Sequence, residues 1–143
     1  MSEPSAQQDR FSAQDVIIQY AACIDDRDFD QYRDCFTTDV ELHGFGSNVI
    51  RGVDDWFDFV HKALENFSAT QHLLGPPQVE LNGDAAQMRT DLQAQHFFRE
   101  PKGRIFTLWG TYRTQLVRTD RVWKIKRHEL VTRATRTSDP YRT

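Results

Sequence analysis

Residues 16–36 read VIIQYAACIDDRDFDQYRDCF, and this stretch predicts two helices joined by a polar elbow. Apolar residues recur there at the i, i+3, i+4, i+7 spacing of one helical face, namely at Ile17, Tyr20, Ala21 and Ile24. The pattern resumes after the elbow, at Phe29, Tyr32 and Phe36. We therefore predict a first helix over about 13–25 and a second over about 29–36.

The elbow contains an aspartate that helix capping does not explain. Asp28 immediately precedes the second helix, where its side chain can accept a hydrogen bond from a first-turn amide that is otherwise unpaired. Asp25 has no such function and directly follows the apolar position Ile24, at the edge of the predicted core. Because a carboxylate is costly there without a partner, Asp25 is expected to meet a polar group from elsewhere in the chain.

The bulk properties are those of one soluble domain. The chain has 143 residues, 38% hydrophobic and 27% charged, which suits a single core. We expect a flexible N-terminus over 1–10, a domain over 11–136 and a flexible tail over 137–143. The two cysteines, Cys23 and Cys35, fall on the predicted helices and are expected to be buried thiols rather than a disulfide framework.

The charge and the apolar patterning argue against two classes of partner. A formal net charge of −3 gives no sign of the basic surface that nucleic-acid binding requires. No apolar stretch approaches membrane-spanning length, and the N-terminus lacks the basic and apolar regions of a signal peptide. We expect a cytoplasmic protein that binds neither nucleic acid nor membrane.

The rest of the chain predicts one more helix and then a set of strands. Gly52 precedes a third helix with an apolar face at Val53, Trp56, Phe57, Val60, Leu64 and Phe67. Beyond it the period changes to two, with long strands predicted over 85–99, 104–118 and 121–134. Three helices followed by an antiparallel meander indicate an α+β fold. Because such a sheet twists and curls, helices covering it enclose a cone with a pocket inside.

The two faces of the long strands have different expected uses. Alternate residues that include His96 and Tyr112 are expected to face the pocket. The opposite face carries apolar residues at Ile105, Trp109 and Val117. A homodimer or higher homo-oligomer that covers this face is the simplest explanation of them.

Four motifs together resemble the SnoaL-like branch of the NTF2-like superfamily, over roughly residues 10–135. They are IDDRDFD at 24–30, RGVDDWF at 51–57, TQHLLG at 70–75 and TYRTQLVRTDRVWKI at 111–125. The resemblance implies an NTF2-like (cystatin-like), cone-shaped barrel in which three N-terminal helices pack on a strongly curved, mainly antiparallel sheet. It is specific for the fold and says little about the substrate, because this superfamily carries many activities on one scaffold.

The resemblance also implies a catalytic pair. In the scytalone dehydratase and lindane dehydrochlorinase members, a pocket histidine pairs with an aspartate at the end of the first helix. His72 and Asp25 occupy those places here. An imidazole can remove a proton near neutral pH, and a carboxylate on its other nitrogen stabilises the imidazolium that forms. The alternative is that His72 is a core histidine satisfied by a local hydrogen bond.

Further residues are candidates for binding a substrate. His96 is either a second pocket histidine, as in scytalone dehydratase, or a buried structural one. Either Arg127 or His128 occupies the place of a pocket arginine in the dehydrochlorinase. Alternation along the strand turns Arg127 inward, whereas a bulge would turn His128 inward.

Aromatic residues complete the predicted lining. Tyr20 is a candidate to polarise a carbonyl from the pocket floor, although core packing explains it equally well. Trp56 and Tyr112 suit an apolar ligand.

The sequence shows no phosphate loop, no H-E-x-x-H and no paired cysteines, so no cofactor and no metal are expected. A metal site shared by His72, His96, His128 and Asp25 is the weaker alternative. We therefore expect a cofactor-independent lyase or isomerase, of dehydratase or dehydrohalogenase type, that acts on a small apolar cyclic compound. The alternative is a non-catalytic protein that binds ligands or resembles the small subunit of a ring-hydroxylating dioxygenase.

Overall fold

The computed structural model describes residues 4–140, which form three helices and seven strands. The helices are α1 (Ala6–Asp26), α2 (Phe29–Asp34) and α3 (Val53–Leu64). The strands are β1 (Phe36–His43), β2 (Ile50–Arg51), β3 (Phe67–Leu74), β4 (Gln78–Asn82), β5 (Ala85–Phe98), β6 (Ile105–Thr119) and β7 (Val122–Ser138). This order of elements confirms the predicted α+β class. In this part of the chain, no helix combines the length and apolar character that a membrane crossing demands.

Helix α1 starts earlier than predicted because of a cap that apolar periodicity does not reveal. The Ser5 hydroxyl accepts a hydrogen bond from the Gln8 amide, and the Gln8 side chain accepts one from the Ser5 amide. This reciprocal capping box begins the helix at Ala6. The prediction of an irregular N-terminus is therefore wrong over 6–10, while residues 1–3 lie outside the described part. The predicted apolar face is buried at Ile17, Tyr20, Ala21 and Ile24, and Ala13, which was not predicted on it, is buried as well.

The seven strands form one sheet in the order β2-β1-β7-β6-β5-β3, with β4 also paired to β5. Strands β1 and β7 run parallel, and the other neighbouring pairs are antiparallel. Strands β3 and β4 follow each other along one edge of β5, separated by Pro76 and Pro77. Proline cannot donate to a ladder, so this pair interrupts the edge without breaking β5. The sheet is curled and does not close into a full barrel.

The core lies between the concave face of the sheet and the helices. Strand β5 alternates as predicted, with the buried residues Ala86, Met88, Thr90, Leu92 and Ala94. Helix α1 packs against β3, β4 and β7, and α3 packs against β1 and β2. The α3 face is buried from Val53 to Val60, whereas Phe67, predicted on this helix, begins β3.

The C-terminal strand is longer than predicted. Thr137 and Ser138 still pair with Phe106 and Ile105 of β6, so the prediction of a free tail from 137 is wrong for these two residues. Polar residues dominate this end of β7, and such a strand has no apolar alternation to predict it. Residues 141–143 lie outside the described part.

Candidate active site

The structure brings Asp25 and His72 into direct contact. Asp25 lies in the last turn of α1, and His72 lies in β3, which packs against that helix. The Nδ1 atom of His72 is 2.8 Å from Oδ1 of Asp25, and the His72 backbone amide donates to Oδ2 at 2.7 Å. The side chains are 10% exposed for His72 and 19% for Asp25. The helix end and the strand therefore hold this carboxylate and imidazole at two points.

Two further residues extend the contact. The Thr70 hydroxyl donates to Oδ1 of Asp25 at 3.0 Å. The Nη1 group of Arg27 donates to Oγ1 of Thr70 at 2.8 Å, and also to the carbonyl oxygen of Ile24. Asp25 therefore accepts hydrogen bonds from a ring, a backbone amide and a hydroxyl.

These contacts determine which nitrogen of His72 is free. Partial burial acts to raise the pKa of the Asp25 carboxyl, but the hydrogen bonds from His72 and Thr70 outweigh it and leave that pKa below its ordinary value. Asp25 is thus an ionised acceptor, so the proton between the two side chains belongs to Nδ1 of His72. In the neutral ring, Nε2 then carries a lone pair, and no partner for it is found among residues 4–140.

An interior cavity of about 330 Å³ has His72 in its wall. It lies between α3, the β1–β2 loop and the concave face of the sheet. Most of its lining is apolar, including Phe59, Phe67, Leu92, Phe106, Leu108 and Leu130. His72 also borders an open groove on the outside, between α1 and the Pro76–Pro77 segment. The pair therefore stands at the edge of the core, where His72 borders the largely apolar cavity on one side and the outer groove on the other.

A family model described as the SnoaL-like domain matches residues 6–129, from the start of α1 into β7. The chain belongs to the SnoaL-like family. This assignment confirms the resemblance on which the site prediction depends.

Solved structures similar to this SnoaL-like chain share its fold. A protein of Novosphingobium aromaticivorans, provisionally described as an aromatic ring hydroxylase, is 27% identical with a TM-score of 0.84, covering 94% of this chain and 96% of its own. A hexachlorocyclohexane dehydrochlorinase of Novosphingobium barchaimii is 16% identical with a TM-score of 0.82, and the match covers 94% of this chain and 93% of the dehydrochlorinase. A Nostoc punctiforme protein with a cystatin-like fold is 18% identical with a TM-score of 0.73, and the match covers 98% of this chain and 97% of the Nostoc protein. The predicted NTF2-like, cystatin-like fold is confirmed.

His96 is the second histidine of the cavity wall in this SnoaL-like protein. Its ring centroid lies 6.1 Å from that of His72, and its Nδ1 atom is buried without a hydrogen-bond partner among the described residues. Burial, and then repulsion from His72, lower the pKa of His96 to about 4, so it is neutral at pH 7. A neutral imidazole can donate one hydrogen bond and accept another. Contact of His96 with a substrate remains a prediction.

The structure decides between Arg127 and His128 but places neither in the cavity wall. The register shifts by one residue where Gln115 pairs with Arg127 and Leu116 pairs with Ile125. This bulge at Lys126 turns His128 inward and puts Arg127 in a groove on the outer face. His128 is fully buried rather than part of the lining. The substrate-binding prediction for both residues is corrected accordingly.

The predicted aromatic residues divide between the core and the cavity. Tyr112 lines the cavity. Tyr20 is only 3% exposed and packs against the rings of Tyr32, Tyr112 and His128, away from the lining. The indole N–H of Trp56 donates to the Tyr32 hydroxyl at 3.0 Å. Tyr20 is therefore a core residue because other rings surround it, and Trp56 is one because its N–H is paired inside the aromatic cluster.

Two members of the site, Thr70 and Arg27, were not predicted from the sequence. Thr70 precedes His72 by two positions, so strand alternation puts both on one face, and this signal was available. Arg27 gave no such signal, because its side chain acts across the fold, 43 positions away along the chain from Thr70.

The alternative of a shared metal site is not supported, since no three or more His, Cys, Asp or Glu side chains between residues 4 and 140 group as ligands.

Proposed function

We propose that this SnoaL-like protein is a cofactor-independent lyase or isomerase in which His72 is the general base. The observation that carries the proposal is the 2.8 Å contact between Asp25 and Nδ1 of His72, whose side chain lies in the wall of a largely apolar cavity. The contact leaves Nε2 with the lone pair that proton abstraction needs.

The chemistry follows from that protonation state. Nε2 of His72 takes a proton from a carbon of the ligand, and the electron pair of the C–H bond forms a new double bond. In dehydrohalogenation the halide departs with the electrons of its own bond. In dehydration the imidazolium returns the proton to the leaving oxygen, which departs as water, and His72 is neutral again. In isomerisation the proton is returned to another carbon. Asp25 stays ionised throughout and stabilises the imidazolium.

The shape of the cavity supports a small, largely apolar ring compound as the substrate. A volume of about 330 Å³ is at the lower end of the range for small-molecule sites. The polar side chains of its lining are His72, His96, Thr132 and Tyr112. A charged ligand would lose its hydration there with little compensation. The dehydrochlorinase that shares this fold is named for hexachlorocyclohexane, a small ring compound of this kind. At 16% identity, its likeness to this chain concerns the fold alone.

The test is a panel of ring compounds that covers the three reaction types. Halide release, loss of water by mass spectrometry and double-bond migration by absorbance are measured for the wild type and His72→Ala. His61→Ala is the matched control, because His61 is exposed on α3. We expect turnover of at least one compound, lost in His72→Ala and retained in His61→Ala. Turnover that survives His72→Ala would contradict the proposal.

A second candidate is a non-catalytic, small-subunit-like role. It is favoured by the 27% identity to the Novosphingobium aromaticivorans protein that is provisionally described as an aromatic ring hydroxylase. Such a role requires a larger catalytic chain as partner and does not require an intact Asp25–His72 pair. Activity of a reconstituted complex that is unaffected by His72→Ala, together with no turnover by this chain alone, would favour it.

A further inference from the structure

Arg27 ends α1 in a backbone conformation that arginine rarely adopts. Its φ of 59° and ψ of 32° lie in the left-handed region, and its amide N–H donates to the carbonyls of Cys23 and Ile24. Glycine is the usual residue at such a helix end, because a Cβ there costs roughly 1 kcal/mol. The backbone alone therefore does not explain an arginine, and the side chain is where an explanation has to be found.

The side chain of Arg27 runs inward rather than into solvent. Nη1 reaches Oγ1 of Thr70 at 2.8 Å, and Nη2 is buried without a hydrogen-bond partner among the described residues. Burial lowers the pKa of Arg27 below its ordinary value. Enclosing a guanidinium in this way does not favour folding by itself. Within residues 4–140, the side chain with which Arg27 hydrogen-bonds is that of Thr70, a residue that touches the Asp25–His72 pair.

The geometry at Thr70 gives the arginine a specific effect. A threonine hydroxyl has one proton to donate and can accept at its lone pairs. Because Arg27 occupies Oγ1 as a donor, the Thr70 proton is left to point at Oδ1 of Asp25, 3.0 Å away. Oδ1 is also the oxygen that contacts Nδ1 of His72. Arg27 thus orients a hydrogen bond onto the atom that holds the imidazole.

We propose that Arg27 and Thr70 are positioning residues for the Asp25–His72 pair. Arg27 directs the Thr70 hydroxyl, and Thr70 fixes the Asp25 carboxylate in its ionised state and in the orientation that keeps the proton on Nδ1 of His72. Neither residue lines the cavity, so both act through Asp25. The proposal rests on the proposed function of the pair, but its first test needs no substrate.

That test follows the Asp25 carboxyl by carbon NMR during a pH titration of the free protein. Thr70→Val removes the hydroxyl at nearly constant shape, Thr70→Ser restores it, and Arg27→Gly suits the left-handed backbone while removing the guanidinium. Arg121→Gly is the matched control, since Arg121 also has a positive φ, 66°, in the turn between β6 and β7. The downfield proton signal of Nδ1 in His72 is recorded for each variant as a readout of the contact.

We expect the Asp25 pKa to rise in Thr70→Val, to rise less in Arg27→Gly, and to stay at the wild-type value in Thr70→Ser and Arg121→Gly. The Nδ1 proton signal is expected to weaken or shift in the same order. An Asp25 titration and Nδ1 signal unchanged in both Thr70→Val and Arg27→Gly would overturn the proposal. If Thr70→Val does not fold, the Nδ1 proton signal of Arg27→Gly compared with Arg121→Gly decides, because loss of the Arg27 charge by itself also raises the Asp25 pKa.

Kinetics separate this proposal from the proposed function. With any compound that the protein turns over, Thr70→Val is expected to lower kcat about tenfold with little change in KM, because the loss is one of orientation. Thr70→Ser is expected to restore kcat, and a KM effect alone would contradict a positioning role. If no compound is turned over while the NMR shifts appear as expected, the positioning network stands and the catalytic proposal fails.

Discussion

At Asp25, replacement by asparagine keeps the shape of the side chain while removing its charge. The amide would present an N–H₂ group where Oδ1 or Oδ2 now accepts. Two hydrogen bonds then become donor against donor if the N–H₂ group replaces Oδ1, and one does if it replaces Oδ2. We expect Asp25→Asn to fold and to lose on the order of 10³-fold or more in kcat, because the imidazolium loses its counter-charge and its preferred tautomer. The measurement is kcat for a compound found in the substrate panel.

The matched control is Asp28→Asn, three positions along. Asp28 caps α2 by accepting from the Gln31 amide at 3.2 Å, and asparagine is an equally good cap. This variant is expected to keep both stability and kcat. Combining Asp25→Asn with His72→Ala is expected to cost little more than either change alone, because the two residues act as a unit. Fully additive losses would argue that the residues act separately.

His128 predicts a pH dependence of stability. Burial lowers its pKa to about 3, whereas an unfolded histidine has a pKa near 6.5. Between these values the unfolded chain binds the additional proton, so stability is complete above about pH 6.5 and is lost as the pH falls. The groups that face the ring are Tyr20, Phe45, Tyr112 and the Thr114 hydroxyl, none of which is a carboxylate.

We therefore expect His128 to account for a loss of about 2 kcal/mol in the free energy of unfolding between pH 7 and pH 5. Urea unfolding at the two pH values measures it. His128→Gln is expected to show a smaller drop, since glutamine does not titrate, and the exposed His61→Gln to show the full drop. Equal drops in wild type and His128→Gln would contradict the assignment.

Among the elements, the β1–β2 loop closes one end of the cavity, and its path depends on Gly44. Gly44 has a φ of 81°, and a Cβ there would overlap the backbone carbonyl of Leu130 in β7. We expect Gly44→Ala to destabilise the protein by about 2–4 kcal/mol, from the unfavourable φ and the overlap together. Urea unfolding measures the loss, and hydrogen exchange in the loop is expected to become faster.

Gly83 provides the matched control for that substitution. It also has a positive φ, 61°, in the β4–β5 turn, but a Cβ there meets nothing within 4 Å. Gly83→Ala is expected to lower the free energy of unfolding by only about 1 kcal/mol, the cost of a positive φ for alanine. Similar costs for the two variants would show that the approach to Leu130 has no influence on stability.

The elements also show why part of the site was predictable. The end of α1 is marked in the sequence by the helical spacing of apolar residues before Asp25. Strand β3 is marked by the TQHLLG motif around His72. The orientation of β7 depends on a bulge at Lys126, and nothing in the local sequence distinguishes that residue from its neighbours. The start of α1 depends on a polar capping box without apolar periodicity. The family resemblance of the motifs around Asp25 and His72 thus implied the pair, whereas inter-strand register decided which side chains of β7 turn inward.

At the scale of the whole molecule, the outer face of the sheet is the surface that a partner copy would cover. Ile105, Trp109 and Val117 are half-buried there, and Leu73 is 68% exposed two strands away from Trp109. The paired residue between them, Gln93, is polar, so the surface mixes apolar and polar groups in the manner of many subunit interfaces. Self-association through this face remains a prediction of the sequence.

Sedimentation velocity at micromolar concentration is expected to show a species larger than a monomer. Trp109→Arg is expected to shift it toward monomer, because a guanidinium at the centre of a covered face would lose water without a partner. Val122→Arg is the control, since Val122 is 51% exposed at the start of β7, outside that set of residues. A wild-type protein that sediments as a monomer would contradict the prediction. If Trp109→Arg and Val122→Arg dissociate the oligomer equally, the interface includes the β6–β7 turn rather than the outer face around Trp109.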